Sequence, residues 1–395
     1  MMGEQNPYPG PGYEHFIHEC LELALEGLGW TSPNPLVGCL LVRHGEVIGR
    51  GFHARDGEEH AEVRALRDAG DARGASAYVS LEPCSHVGRQ PSCCHELARA
   101  GVRRVIWGCD DANPLTAGRA ASLLPELGVE ACGGVLREQC ERLLDYYMHA
   151  HRRQRPFMHL KLALSADGKI ACPGGHSQWL SGPESLGYAH FLRLKYDAAL
   201  ISYRTVLADD PRLTVRDEQL SAYRRPPDSP RRQPVRVVLD PRFELADRLD
   251  QLRLGQLQGR FRSDLPQLII AGNARNLPAG PGRGSKVHLL GLKREGEEPL
   301  SFAELAAALW ELGIRSVLVE GGGALAAELL SQRLADKLTL VYTPTLIGAD
   351  GLGFTPPLGC EHLGDCPRLA RAEAFSLGRD AVLEGYPAWD QSADE

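Results

Sequence analysis

Ala77-Tyr78-Val79-Ser80-Leu81 runs directly into Glu82-Pro83-Cys84, and His60-Ala61-Glu62 stands ahead of it at the head of an apolar-periodic stretch. The run Ala77 to Leu81 is short and apolar, as a buried strand is. From His60 to Asp68, Ala61, Ala65 and Leu66 share one side with charges opposite, which predicts a helix. Downstream, Cys93 to Ala100 has helical spacing and Val102 to Trp107 reads as another strand. Upstream, Phe16, Leu21, Leu23, Leu25 and Leu28 predict a helix over His15 to Leu28 that stops at Gly29. The turn-forming run Thr31-Ser32-Pro33-Asn34-Pro35 then leads into a hairpin of Leu36 to Val42 and Val47-Ile48 around Gly45. Strands alternating with helices indicate an α/β layer.

The alternation pauses between Gln139 and Pro156, where a charged, aromatic helical stretch ends in His151-Arg152-Arg153-Gln154-Arg155-Pro156. A chain of 395 residues exceeds what one core sustains, so a domain boundary is expected there. The division is a flexible polar arm over 1–12, a first domain over 13–150 and a second over 156–395. In the second, strands are predicted at Phe157 to Leu164, Asp197 to Ser202, Val235 to Leu239, Leu268 to Ala271, Val287 to Leu290 and Ser316 to Glu320. Helices are predicted at Glu184 to Lys195, Phe302 to Leu312 and Ala324 to Leu330. The Pro- and Arg-rich Asp217 to Gln233 and the Gly- and Pro-rich Ala279 to Ser285 read as surface loops.

Lys and Arg total 44 against 51 for Asp and Glu, a formal charge of -7. That balance argues against nucleic acid as a partner, though it permits a local basic pocket for one phosphate. No stretch of about eighteen apolar residues exists, so no membrane span is expected. The N-terminus has neither the basic start nor the apolar run of an export signal, so the expected compartment is the cytoplasm. Eleven cysteines, an odd number, then read as metal ligands or structural thiols rather than a disulfide framework.

Their spacing narrows this. Cys84 lies 24 residues after His60 and Cys93 nine beyond that. One imidazole and two thiolates are the ligand set of a catalytic zinc that keeps its fourth position for water, and Glu62 is placed to move that water's protons without being a ligand. For any one of these residues alone, a buried thiol or a capping histidine is the ordinary explanation; for the four in this order it is not. Cys94 competes with Cys93, since adjacent side chains point differently. His86 and His53 are further candidates, better explained as a loop contact and a structural histidine, and Glu82 is placed to orient a ligand.

In the second half, Ser316-Val317-Leu318-Val319-Glu320 runs into Gly321-Gly322-Gly323 and a helix. Strand, glycine turn and helix start make an anion site, because backbone amides face the ligand. Gly321, Gly323 and Ala326 fit a dinucleotide fingerprint, but the next strand, Lys337 to Tyr342, ends without the acid that would hold a ribose.

Thr31-Ser32-Pro33-Asn34-Pro35-Leu36-Val37-Gly38, His60-Ala61-Glu62, and Glu82-Pro83-Cys84-Ser85-His86 with Gly88 and Pro91 before Cys93 resemble the deaminase half of the bifunctional riboflavin-biosynthesis deaminase/reductase family. Lys161 to Ala171, Ser177-Gln178-Trp179, Thr205 to Pro211 with Leu213 and Arg216, and Glu320 with its glycines resemble the reductase half. The resemblance implies a cytidine-deaminase-like three-layer domain followed by a dihydrofolate-reductase-like domain. It implies zinc on His60, Cys84 and Cys93, Glu62 as proton shuttle, and Asn34 against the pyrimidine ring. It implies NADPH contacts at Ala163, Trp179, Thr205, Asp209, Gly322, Gly323 and Ala324, and substrate contacts at Ser177, Arg193, Leu213, Arg216 and Glu320.

The implied function is hydrolytic deamination of a diaminopyrimidinone ribosyl phosphate and then reduction of its ribosyl group to ribityl. Small pyrimidine ribosyl phosphates are the expected partners, and the oligomeric state stays open, a homo-oligomer included. Four positions depart from the family's usual pattern: Tyr203 and Arg204 where small residues are common, Pro241 after the strand aspartate, and Thr345 in place of lysine. Asp111-Ala112-Asn113-Pro114 also lacks a proline. The competing readings are a deaminase of another nucleoside or nucleic-acid base with an inactive or regulatory nucleotide-binding second domain, and a structural zinc module closed by a fourth protein ligand.

Overall fold

The apolar runs marked as strands collect into two separate sheets, and the chain divides between Gln154 and Arg155 into two units, with Asp228 counted in the first. The computed structural model describes residues 12–86, 91–225, 228, 231–278, 286–293 and 300–389. The expected arm before Gly12 and the expected loop from Ala279 to Ser285 lie outside the described residues, as does Gly88.

The first unit runs α1 (Tyr13–Ala24), β1 (Gly38–Arg43), β2 (Glu46–Phe52), α2 (Ala61–Ala69), β3 (Ser76–Leu81), α3 (Cys93–Arg99), β4 (Arg104–Cys109), α4 (Ala120–Glu126), β5 (Glu130–Cys132), α5 (Arg137–Leu143) and α6 (Asp145–Arg153). The sheet order is β2-β1-β3-β4-β5. β1 is antiparallel to β2 and β3, whereas β3, β4 and β5 are parallel. Two glycines show how helices cover both faces. A Cβ on Gly38 would meet the Cys20 carbonyl of α1, and one on Gly51 would meet the Ala61 carbonyl of α2. Gly51 pairs with Cys39, the neighbour of Gly38, so the two glycines face opposite sides. α1 and α2 therefore sandwich the sheet as the outer of three layers.

The second unit contains β6 (Phe157–Ser165), α7 (Pro183–Lys195), β7 (Ala198–Ser202), α8 (Tyr203–Asp209), α9 (Asp217–Leu220), β8 (Val235–Leu239), β9 (Leu268–Asn273), β10 (Val287–Leu292), α10 (Phe302–Glu311), β11 (Ser316–Glu320), α11 (Gly323–Ser331), β12 (Lys337–Thr343), β13 (Arg368–Leu377) and β14 (Asp380–Ala388). Its sheet order is β10-β9-β8-β7-β11-β6-β12-β14-β13. Strands β6 to β12 pair in parallel and the β13–β14 hairpin adds antiparallel at one edge. Parallel strands are buried on both faces, and successive residues here feed two cores. Leu200, Val237 and Ile269 enter one, while Ile201, Val238 and Ile270 enter the other. Because β11 inserts between β6 and β7, the chain order reverses at its C-terminal end, which is where open α/β sheets hold ligands.

Two stretches depart from expectation. Asp217 to Gln233 is not wholly a surface loop: it contains α9, Leu220 is fully buried, and the Arg232 guanidinium is 2% exposed against Asp197 at 3.3 Å. The β13–β14 hairpin was not expected, because Ala, Glu and Arg in Arg368 to Leu377 favour helix locally and only cross-strand pairing makes them a strand.

Candidate active sites

In the first unit, strand and helix ends converge. His60 is the extended residue just before α2, Cys84 follows the end of β3, and Cys93 opens α3. His60 Nδ1 lies 3.2 Å from Cys93 Sγ and 3.7 Å from Cys84 Sγ, and the three ligand atoms lie within 4.8 Å of one another. The loop carrying Cys84 is pinned by the Cys93 N–H donating to Cys84 Sγ at 3.2 Å and the Ser92 hydroxyl donating to the Cys84 carbonyl at 3.0 Å. Zinc bonded tetrahedrally to nitrogen at about 2.0–2.1 Å and sulfur at about 2.3 Å separates those atoms by roughly 3.5 Å. The set fits.

The Cys93 thiol's hydrogen bond holds Cys84 well below the usual thiol range, while the same bond and burial push Cys93 up. The Cys84 contact raises His60. Glu62, on the first turn of α2, is 4% exposed, and its burial raises its carboxyl. All but Cys93 line one cavity of about 290 Å³, together with Asn34, Asp111 and Tyr147. The Asn34 amide donates to Asp56 at 3.1 Å and lies 3.2 Å from His53 Nε2.

Cys94 Sγ donates instead to the Pro83 carbonyl at 3.5 Å, and His86 Nδ1 lies 3.3 Å from the Thr116 hydroxyl. Glu82 does not orient a ligand. Its carboxylate accepts the N–H groups of Asp111, Gly118 and Ala120 at 3.1, 3.0 and 2.9 Å, and so shapes the loop that carries Asp111 to the cavity. Sequence reading missed Tyr147, whose hydroxyl donates to Asp111 at 2.9 Å. Nothing in a charged helix singled it out.

In the second unit, Arg193 on α7 makes a two-pronged ion pair with Glu320 at the end of β11, 2.6 and 2.8 Å. Burial alone would raise the Glu320 carboxyl; the Arg193 charge brings it below its usual value. Arg193 also donates to the Thr214 carbonyl at 3.3 Å, beside buried Leu213. The Arg216 backbone N–H donates to His190 Nδ1 at 3.1 Å, one turn before Arg193 on α7. Arg193, Leu213, Arg216 and Glu320 are thus brought together.

Lys161 belongs with them and was not singled out. It pairs in register with Glu320, and burial lowers its ammonium. The available signal was a lysine inside the otherwise apolar Leu160 to Leu164. Ala163 shares its strand face, two residues on.

Gly322 precedes α11 and supplies no side chain to its first-turn amides. A Cβ on Gly322 would meet nothing within 4 Å, whereas one on Gly323 would strike the Gly353 carbonyl at 2.5 Å. Ala324 joins Ser202, Tyr203, Arg204, Leu239, Pro241 and Phe302 around a cavity of about 350 Å³. Thr205 donates its N–H to Ser202 Oγ at 3.3 Å. Ser177 and Trp179 lie on a separate loop. Trp179 is 75% exposed, and its neighbour Gln178 donates to Asp209 at 2.8 Å.

Two family models match the chain: the cytidine and deoxycytidylate deaminase zinc-binding region over residues 12–109, and the RibD C-terminal domain over residues 156–383. The riboflavin biosynthesis protein RibD of Escherichia coli (strain K12) is 38% identical over 380 residues, 94% of this chain and 98% of that protein. The chain belongs to the RibD family. RibD of Aquifex aeolicus is 32% identical over 371 residues, 94% of this chain and 97% of its own. Among solved structures, a diaminohydroxyphosphoribosylaminopyrimidine deaminase/5-amino-6-(5-phosphoribosylamino)uracil reductase from Thermotoga maritima matches with TM-score 0.77 and 30% identity, covering 95% of this chain and 99% of that one. Acinetobacter baumannii RibD matches with TM-score 0.74 and 30% identity, covering 95% and 98%.

As a RibD family member the chain is a bifunctional enzyme of riboflavin biosynthesis. A cytidine-deaminase-like domain precedes a reductase domain of the dihydrofolate-reductase-like kind. The alternative of a base deaminase with an inactive or regulatory second domain is not favoured. Among the described residues no helix is long and apolar enough to cross a membrane.

Proposed function

We propose that the first unit removes the exocyclic amine of a diaminopyrimidinone ribosyl phosphate with zinc on His60, Cys84 and Cys93, and that the second reduces the ribosyl group to ribityl with NADPH. The observation that carries this reading is the clustering of one imidazole and two thiols beside a buried glutamate whose carboxyl burial raises, at a cavity that His60, Cys84 and Glu62 line. When bound, zinc supplies a Lewis acid that lowers the pKa of its water. Asn34, held by Asp56, faces the pyrimidine ring. Glu62 takes the proton of the attacking water on its carboxylate and returns it to the departing amine; a carboxyl raised by burial suits both halves of that transfer.

In the second unit, the glycine at position 322 and the uncapped amides of α11 fit a dinucleotide's phosphates. Thr205, Asp209 and Trp179 complete the proposed cofactor contacts, and NADPH when bound supplies the hydride. Arg216 holds the substrate phosphate side, with Ser177, Leu213 and the Arg193–Glu320 pair around it. Lys161 holds a proton at Nζ that its burial makes easier to give up. Residence in the reducing cytoplasm belongs to the same reading, since the ligand thiols must stay reduced.

The test is an assay of the purified chain with the diaminopyrimidinone phosphate, with and without NADPH. Ammonia should appear in both, and NADPH should be consumed only as deaminated product accumulates. Absence of ammonia from zinc-loaded protein would overturn the first assignment. Normal deamination without NADPH binding or consumption would overturn the second.

A further inference from the structure

We propose that Arg204 is the residue through which this chain prefers NADPH to NADH, its guanidinium taking the phosphate on the 2′ position of the adenosine ribose. The inference rests on the reductase reading and extends it to one side chain. The glycine turn at Gly321 to Gly323 lies at the C-terminal end of β11, whose neighbours on one side are β7 and then β8. A dinucleotide with its pyrophosphate on the α11 amides can lay its adenosine half over the ends of those two strands. The structure provides a slot there: the cavity of about 350 Å³ lies between Tyr203, Leu239, Pro241, Phe302 and Leu325. Its apolar walls suit a base rather than a sugar phosphate.

Arg204 stands at this cavity, exposed, on the first turn of α8. It has no hydrogen-bond or ion-pair partner among the described residues, whereas Arg193 is committed to Glu320 and Arg242 to Glu244. The carboxylate that also lines the cavity, Glu328, is engaged by the Gln332 amide at 2.6 Å. The open charge at the adenosine end is therefore positive. A planar, five-donor cation matches a phosphate dianion in two-pronged geometry and gains much less from the hydroxyl that NADH carries there.

The experiment measures equilibrium binding of NADPH, NADH, adenosine 2′,5′-bisphosphate and AMP to the full chain and to Arg204→Ala, by fluorescence or calorimetry at fixed salt. The wild type should favour NADPH. Arg204→Ala should weaken NADPH and the bisphosphate by about ten- to a hundredfold and leave NADH and AMP within about twofold. Equal weakening of NADPH and NADH, or no change in either, would overturn the assignment while the reductase reading stands. So would a wild type that binds both dinucleotides alike. A wild type that binds neither dinucleotide would take the reductase reading down with it. Because Arg204 is exposed in a helix and Ala favours helix, the variant should fold, and an unchanged unfolding temperature checks that.

Discussion

Cys93 and Cys94 are both fully buried, yet only the first points its sulfur at His60, while the second donates to the Pro83 carbonyl. Cys93→Ser should therefore lose zinc, and with it deamination, whereas Cys94→Ser should keep both; metal analysis of the purified variants decides, and the reverse pattern would move the ligand by one residue. Glu62 lines a cavity with His60 and Cys84 without joining the cluster of His60, Cys84 and Cys93. Glu62→Gln should retain zinc but lower ammonia release by a factor on the order of 10² to 10⁴, the usual contribution of a positioned proton carrier. Loss of metal from that variant, or near wild-type turnover, would contradict the role. At this scale the clustering of His60, Cys84 and Cys93 was readable from spacing. The fate of Glu82 was not, because its three partners lie 29 to 38 residues away and are backbone N–H groups, which no residue type announces.

The helix that carries Glu62 is set against its sheet by the absence of side chains. A Cβ on Gly51 would lie 2.2 Å from the Ala61 carbonyl and 2.4 Å from the Ala65 N–H nitrogen, both backbone atoms that cannot swing aside. Gly51→Ala should push the first turn of α2 off β2, costing about 1–3 kcal/mol of stability as overpacking does. It should also weaken zinc binding, although residue 51 is not a ligand. Zinc affinity by chelator competition checks this; wild-type affinity with only a lowered Tm would show that His60 and Glu62 are held independently of that packing. Elements with strong local patterns were legible: Val235–Leu239 and Ser316–Glu320 have the bounds that their apolar runs predict. β13 and β14 were illegible because most of β13 is exposed and few residues of either are fully buried, so their identity depends on one another.

Across the second unit, two buried groups titrate far from their usual ranges. His190, 3% exposed, is held down to about 2 by burial and then by the charges of Arg193 and Arg216. Burial alone would raise Glu384, but Lys337, beside it at 2.6 Å, and further partners hold it at about 2. Both folded values lie below the unfolded ones, so the unfolded chain binds the extra proton first and stability falls as the pH is lowered. The loss should begin near pH 6.5, where unfolded histidine protonates, at roughly 1.4 kcal/mol per pH unit for each proton, and steepen below about 4.5. Calorimetry should find the slope between about pH 6.5 and 5 reduced in His190→Asn; an unchanged slope would remove His190 as its source. The sequence by itself determined the α/β class, the His60, Glu62, Cys84 and Cys93 set and the glycine turn, because each is carried by local periodicity or by residue types with few other uses. Only the tertiary structure decided that Lys161 stands beside Glu320, that Arg232 is buried on Asp197 and that Arg204 stands at a cavity with no partner among the described residues. Those facts depend on strand register and on partners distant in the chain, which no local pattern encodes.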